Sequence, residues 1–159
     1  MLLLLACFTA ADTRAQAEDF GWKVSLRGGA AVDGEELFRG IQFGWWRRLG
    51  GETWWAGLRY AQYRATSSDE EFRNVAVYSA ARTMQLSIRA RFPKGKWTPF
   101  ASLGGGAAGG DWGDGGVVQA DVGVDYAVTS QFDASIQLSA GRAPGPWAAG
   151  LLVGAVVSF

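Results

Sequence analysis

From Phe20 onward, apolar and polar residues take turns. Phe20, Trp22, Val24, Leu26, Gly28 and Ala30 share one parity, against Gly21, Lys23, Ser25, Arg27 and Gly29 on the other. A period of two is the signature of a strand whose faces meet different surroundings. The pattern recurs down the chain. Leu37 to Arg48 sets Ile41, Phe43 and Trp45 against Gly40, Gln42 and Gly44. Trp54, Ala56, Leu58 and Tyr60 oppose Gly57, Arg59, Ala61 and Tyr63. A fourth strand, continuous from Val75 and ending at Phe92, sets Met84, Leu86, Ile88 and Ala90 against Gln85, Ser87, Arg89 and Arg91. Trp97 to Ala108 is the fifth, and Val118 to Val128 the sixth, with Gln119, Asp121, Gly123 and Asp125 on its polar face. Phe132 to Arg142 is the seventh and Trp147 to Phe159 the eighth. Between them lie turn-forming clusters: Asp33-Gly34-Glu35-Glu36, Leu49-Gly50-Gly51-Glu52, Pro93-Lys94-Gly95-Lys96, Thr129-Ser130-Gln131 and Ala143-Pro144-Gly145-Pro146. The polar stretch 66–74 forms the longest loop, and the glycine-rich run 109–116 a flexible turn.

The last strand decides what the alternation means. Its odd positions, Ala149 to Phe159, are wholly apolar, whereas Gly150, Gly154 and Ser158 are small or polar. An edge strand this apolar must close against a partner, because an open edge in lipid leaves backbone groups unpaired. Eight strands of about 11 residues are each long enough to cross a bilayer when tilted, and an even count returns both termini to one side. The expected architecture is all-β: an eight-stranded antiparallel up-and-down transmembrane β-barrel over residues 18–159.

Composition fits that picture. The chain has 159 residues, 23 of them Gly and 8 Trp, with balanced formal charge and no His. The balance gives no reason to expect a nucleic-acid partner. Mean hydropathy is near zero, as it must be when every strand averages an apolar face with a polar one. The first residues have an apolar core, Leu2 to Phe8, and end in Ala15-Gln16-Ala17. They read as an export signal, residues 1–17, cleaved after Ala17. The usual positive start of such a signal is missing, which an upstream true start would explain. Leu4-Leu5-Ala6-Cys7 offers the alternative of a lipidated Cys7.

The eight-strand plan, the terminal Phe159 and the run Trp97-Thr98-Pro99-Phe100-Ala101-Ser102-Leu103-Gly104-Gly105-Gly106 resemble the small outer-membrane barrels of the OmpA/OmpX type. Val124-Asp125-Tyr126 followed by Thr129-Ser130-Gln131 is similar to that family's next strand and turn. The resemblance implies an integral outer-membrane location and a terminal strand read by the outer-membrane assembly machinery. It does not bring a peptidoglycan-binding domain, since none follows Phe159 here.

Within such a barrel, Trp22, Trp45, Trp54, Phe92, Trp97, Phe132 and Phe159 stand beside the short turns and mark the periplasmic headgroup girdle. The outer connections carry Asp33, Glu35, Glu36, Asp69, Glu70, Glu71, Asp111 and Asp114, whereas Arg47, Arg48, Lys94 and Lys96 sit at the inner turns. Lys23, Arg27, Arg59, Arg89 and Arg91 point inward with Asp121 and Asp125. An eight-stranded lumen is just wide enough for side chains to fill, so these charges form a salt-bridged plug or line a narrow pore. Five cations against two carboxylates leaves a lumen cation facing water or a loop acid. Arg39, Arg64, Arg82 and Arg142 take the outward parity at the outer strand ends. They either grip lipopolysaccharide phosphates in bidentate fashion or snorkel to the interface.

Catalysis finds no support in the residues. Asp121 and Asp125 stand roughly 13 Å apart along a strand, too far for a paired-carboxylate site. The serine enzymes known on small outer-membrane barrels use an activating histidine, which this chain lacks. Asp111 and Asp114 lack the full ligand alternation of a calcium loop, and no cofactor is implied. Trp112 and Trp147 anchor a partner or join the outer girdle. The expected role is non-catalytic, in envelope structure or surface interaction through the outer loops, with a membrane subunit of a larger complex and a narrow pore as alternatives.

Overall fold

The computed structural model describes residues 21–33, 36–65, 80–110, 114–143 and 147–159. Eight strands run through them: β1 (Trp22–Asp33), β2 (Glu36–Gly50), β3 (Trp54–Ala65), β4 (Ala80–Arg91), β5 (Trp97–Gly110), β6 (Gly115–Ala127), β7 (Phe132–Arg142) and β8 (Trp147–Ser158). Each pairs antiparallel with its sequence neighbour, and β1 pairs with β8 to close a barrel. The terminal residues finish the seam: Trp22 N–H donates to Phe159 O at 3.3 Å, and Phe159 N–H to Trp22 O at 3.1 Å.

The strands extend further into the turns than alternation alone suggests. β1 and β2 stay paired up to Asp33 and Glu36. β5 and β6 absorb Gly109, Gly110, Gly115 and Gly116, which correctly belong to the wall and not to a flexible turn. β4 starts at Ala80 and ends one residue before Phe92. Residues 75–79 of the expected upper half of that strand, the polar loop at 66–74, the export signal with Cys7, and Asp111 and Trp112 lie outside the described residues. At the other end, Gly51 and Gly95 take the left-handed backbone that a tight turn demands, with φ of 55° and 59°.

The register sets the barrel's tilt. Trp22 pairs with Arg47, Arg47 with Ala56, Ala56 with Ile88 and Ile88 with Leu103. Leu103 leads to Ala120, then Ala140, then Ala149, which returns to β1 at Val32. One circuit thus climbs from Trp22 to Val32, and that stagger corresponds to strands tilted by about 40°. The offset is even, so inward and outward parities are preserved across the seam.

The outward wall is apolar. Leu26, Ile41, Leu86, Leu103, Val122 and Leu138 are each more than half exposed. Such a band has no place in water and fits hydrocarbon. At the end carrying both termini, Trp22 stacks on Trp45 with ring centroids 5.2 Å apart, and Trp54, Phe92, Trp97 and Phe159 stand exposed around the same rim. Phe132 joins them. In this half of the barrel Trp46, Trp55 and Phe100 take the inward parity instead, and all are buried. Glycine on the next strand makes room for two of them. A Cβ on Gly57, opposite Trp46, would lie 2.5 Å from the indole, and one on Gly123, opposite Phe100, 2.5 Å from the phenyl ring.

Candidate functional site

The inward parity builds the lumen in two halves. Toward the termini it is charged and aromatic. Toward the opposite end it turns apolar, with Ala31, Phe38, Ala61, Tyr63 and Ala81 in one cluster and Leu152 and Val117 buried nearby. Past Gln85 and Gln119 the inward residues whose side chains are described are small or hydrophobic. A cavity of about 70 Å³ remains there, bordered by Ala31, Tyr63, Thr83, Val117, Ser139 and Leu152.

The centre of the lumen is organised by Asp121 on β6. Its Oδ1 accepts from Gln119 Nε2 (2.6 Å), Ser139 Oγ (2.8 Å) and Gln137 Nε2 (3.0 Å). Its Oδ2 accepts from Ser102 Oγ (2.7 Å) and pairs with the guanidinium of Arg59. Arg59 Nη2 donates to Gln85 Oε1 (2.7 Å), Gln85 Nε2 to Gln119 Oε1 (2.9 Å), and Gln137 Nε2 to Gln42 Oε1 (3.1 Å). These side chains come from β2 through β7, so the hydrogen bonds cross the bore from wall to wall. Asp121 and Arg59 are thus each tied by more than one partner, as a low-dielectric interior requires.

Below this layer, Asp125 faces Arg27 Nη2 at 3.6 Å and Arg91 Nη2 at 3.3 Å, and accepts from Ser135 Oγ at 2.7 Å. Arg27 Nε donates to the same Ser135 hydroxyl at 3.0 Å. A third lumen carboxylate, Asp133, corrects the expected count of two. It lies 3.5 Å from Lys23 Nζ and 3.6 Å from Arg91 Nη2. Lys23 Nζ also donates to Ser158 Oγ at 2.6 Å. Asp133 follows Phe132 at the start of β7 with the parity of Ser135 and Gln137, so alternation could have found it.

Arg89 is held differently. It is buried, and among the described residues no carboxylate lies within ion-pair distance of it. Its guanidinium carbon stands 3.9 Å from the centre of the Trp46 ring and 4.1 Å from that of Phe100. The surplus cation expected to face water or a loop acid instead lies against two aromatic rings, whose faces carry the negative end of the quadrupole. Parity placed Trp46 and Phe100 inside. Their conjunction with an arginine from β4 was not legible in one dimension.

All four arginines assigned to the wall's outer surface are exposed there: Arg39, Arg64, Arg82 and Arg142. They do not form one belt. Arg39 and Arg64 are direct cross-strand partners on β2 and β3, and Arg82 faces Gln62 on the next strand, so these three make a diagonal row. A surface depression beside Gly29, Ile41 and Gln62 is flanked by Arg39 and Arg64. Arg142 stands apart on β7, paired with Val118 and with the exposed Trp147. No group of His, Cys, Asp and Glu that could hold a metal ion occurs among the described residues.

Comparison with solved structures places this geometry. Neisserial surface protein A superposes with a TM-score of 0.65 at 13% identity, over 87% of this chain and 96% of that one. The chain has the fold of the small outer-membrane β-barrels. The Yersinia pestis outer-membrane protein Ail, in a phospholipid bilayer nanodisc, gives a TM-score of 0.57 at 12% identity, covering 86% of this chain and 99% of Ail. The outer-membrane enzyme PagL gives 0.56 at 11%, covering 86% and 99%. One of these barrels is an enzyme, and the fold alone does not say whether another is. No protein-family model and no curated protein sequence matches the chain.

Proposed function

We propose that this protein is an integral, non-catalytic barrel of the bacterial outer membrane, acting in envelope structure or surface interaction through its outer connections. The observation that carries this reading is the contrast between wall and bore. The wall is apolar, while the bore is crossed from β2 to β7 by the hydrogen bonds around Asp121. A bore so filled leaves the lipid-facing surface and the outer end as the places where other molecules are met. The rim with both termini then faces the periplasm, and β8 with Phe159 is the segment offered to the assembly machinery.

The arginine row supplies the lipid contact. Like charges directly opposite on neighbouring strands repel, and Arg39 opposite Arg64 is compensated when both forks share an anionic group. Phosphates of lipopolysaccharide meet that requirement at this height, in the bidentate geometry arginine favours. Lipopolysaccharide co-purified in mild detergent is the test. Replacing Arg39, Arg64 and Arg82 together by Gln should cut it several-fold, whereas Arg142→Gln alone should leave it nearly unchanged. Equal amounts with the triple variant would refute the contact. The same preparation reads the second possibility, a membrane subunit of a larger complex: a protein partner at fixed stoichiometry would favour it over a stand-alone barrel.

A further inference from the structure

The inner half of the lumen carries more positive charge than its own side chains neutralise. Lys23, Arg27, Arg59, Arg89 and Arg91 face Asp121, Asp125 and Asp133. Several donors in this region also end without a hydrogen-bond acceptor among the described residues. Arg27 Nη1 and Nη2, Arg89 Nε and Nη2, and Gln42 Nε2 are all buried in this state. Arg27 and Gln42 are direct cross-strand partners. The guanidiniums of Arg27 and Arg89 approach the same Phe100 ring, at 5.6 and 4.1 Å from its centre. Unused donors from β1, β2 and β4 are thus gathered into one part of the bore, and that part has a net positive charge.

Water can accept hydrogen bonds from those donors but cannot neutralise the charge, and uncompensated charge in a low-dielectric interior is strongly disfavoured. Ring faces relieve Arg89 only in part, because they occupy the flat of the guanidinium and leave its N–H edge unbound. We infer that the inner lumen binds one small monatomic anion, of the halide class, between the guanidinium edges of Arg27 and Arg89, with Gln42 Nε2 as a further donor. A halide accepts from any direction, which suits donors projecting from three different strands. An oxyanion would need its acceptors met in a set geometry and more room than a bore filled by Trp46, Phe100 and the guanidiniums provides. The anion acts as an internal counter-ion and couples the stability of the folded barrel to halide.

The test uses the whole barrel folded in detergent, with chloride exchanged for gluconate at constant ionic strength. Raising chloride from far below to about ten times its dissociation constant should slow heat or urea unfolding, or shift its equilibrium, by about tenfold. Sulfate and gluconate should have no such effect. Arg89→Gln should fold and lose the chloride response, since it removes the lumen cation that faces no carboxylate and so breaks no ion pair. Crystals grown in bromide should show bromine anomalous density between Arg27 and Arg89, a readout that needs no variant. Equal stability in chloride and gluconate, an equal response to sulfate, a chloride response surviving in Arg89→Gln, or no bromine density at this position would each overturn the assignment.

Discussion

Replacing Asp121 by asparagine tests the central layer at its most demanding point. The two residues have the same shape, so the change removes charge and turns one acceptor oxygen into a donor amide. In the structure, Oδ1 takes three hydrogen bonds, from Gln119, Gln137 and Ser139, and Oδ2 takes Ser102 and Arg59. Asparagine would keep its oxygen where three donors converge and set its amide toward Ser102 and Arg59. Ser102 can rotate its hydroxyl to accept. Arg59, buried and with no acceptor of its own, cannot. The cost is therefore that of leaving a buried charge after its partner is removed, about 3–5 kcal/mol. Urea titration of the barrel refolded into lipid vesicles measures it by linear extrapolation. Arg59→Gln on top of Asp121→Asn removes the stranded charge, and a double-mutant cycle should return a coupling of about 2 kcal/mol. A loss below about 1 kcal/mol in the single variant, or strictly additive losses in the double, would refute the reasoning.

Gly57→Ala should destabilise by about 1–3 kcal/mol, because the new Cβ enters space held by the Trp46 indole. Adding Trp46→Leu should recover only the share owed to the indole, because the Trp45 carbonyl oxygen still lies 2.6 Å from the new Cβ, and the same urea titration reads the difference. Leu86, 73% exposed and midway along β4, faces hydrocarbon. Leu86→Arg should cost about 2–4 kcal/mol when folding is measured in bilayers, and an unchanged midpoint would contradict the orientation of the wall. Planar-bilayer recordings should show no steady conductance from the wild-type barrel, because hydrogen bonds span its bore; a stable open level would restore the pore reading.

Much of this architecture was legible from residue order, and the reason is local. A strand turns its side chains in and out with a period of two, so the parity of Lys23, Arg27, Arg59 or Asp121 sorts wall from bore without any knowledge of neighbours. Arg59 and Asp121 are buried and Leu26 and Leu86 exposed, as that parity requires. The same rule already put Trp46, Trp55, Phe100 and Asp133 inside, although attention to charge alone passed over them.

What each inward group meets was beyond one-dimensional reading. Partners in the bore come from strands far apart in sequence, and the stagger that carries Trp22 round to Val32 decides which levels coincide. Closure alone brings Arg59 to Asp121, sets Asp133 beside Lys23 and Arg91, and lays Arg89 between Trp46 and Phe100. It also splits the outer arginines into a row of three and a solitary Arg142, and leaves the far half of the bore apolar. Alternation along a strand is a property of the backbone's pleat. Contact across a cylinder depends on tilt and register, which exist only once the eight strands have met.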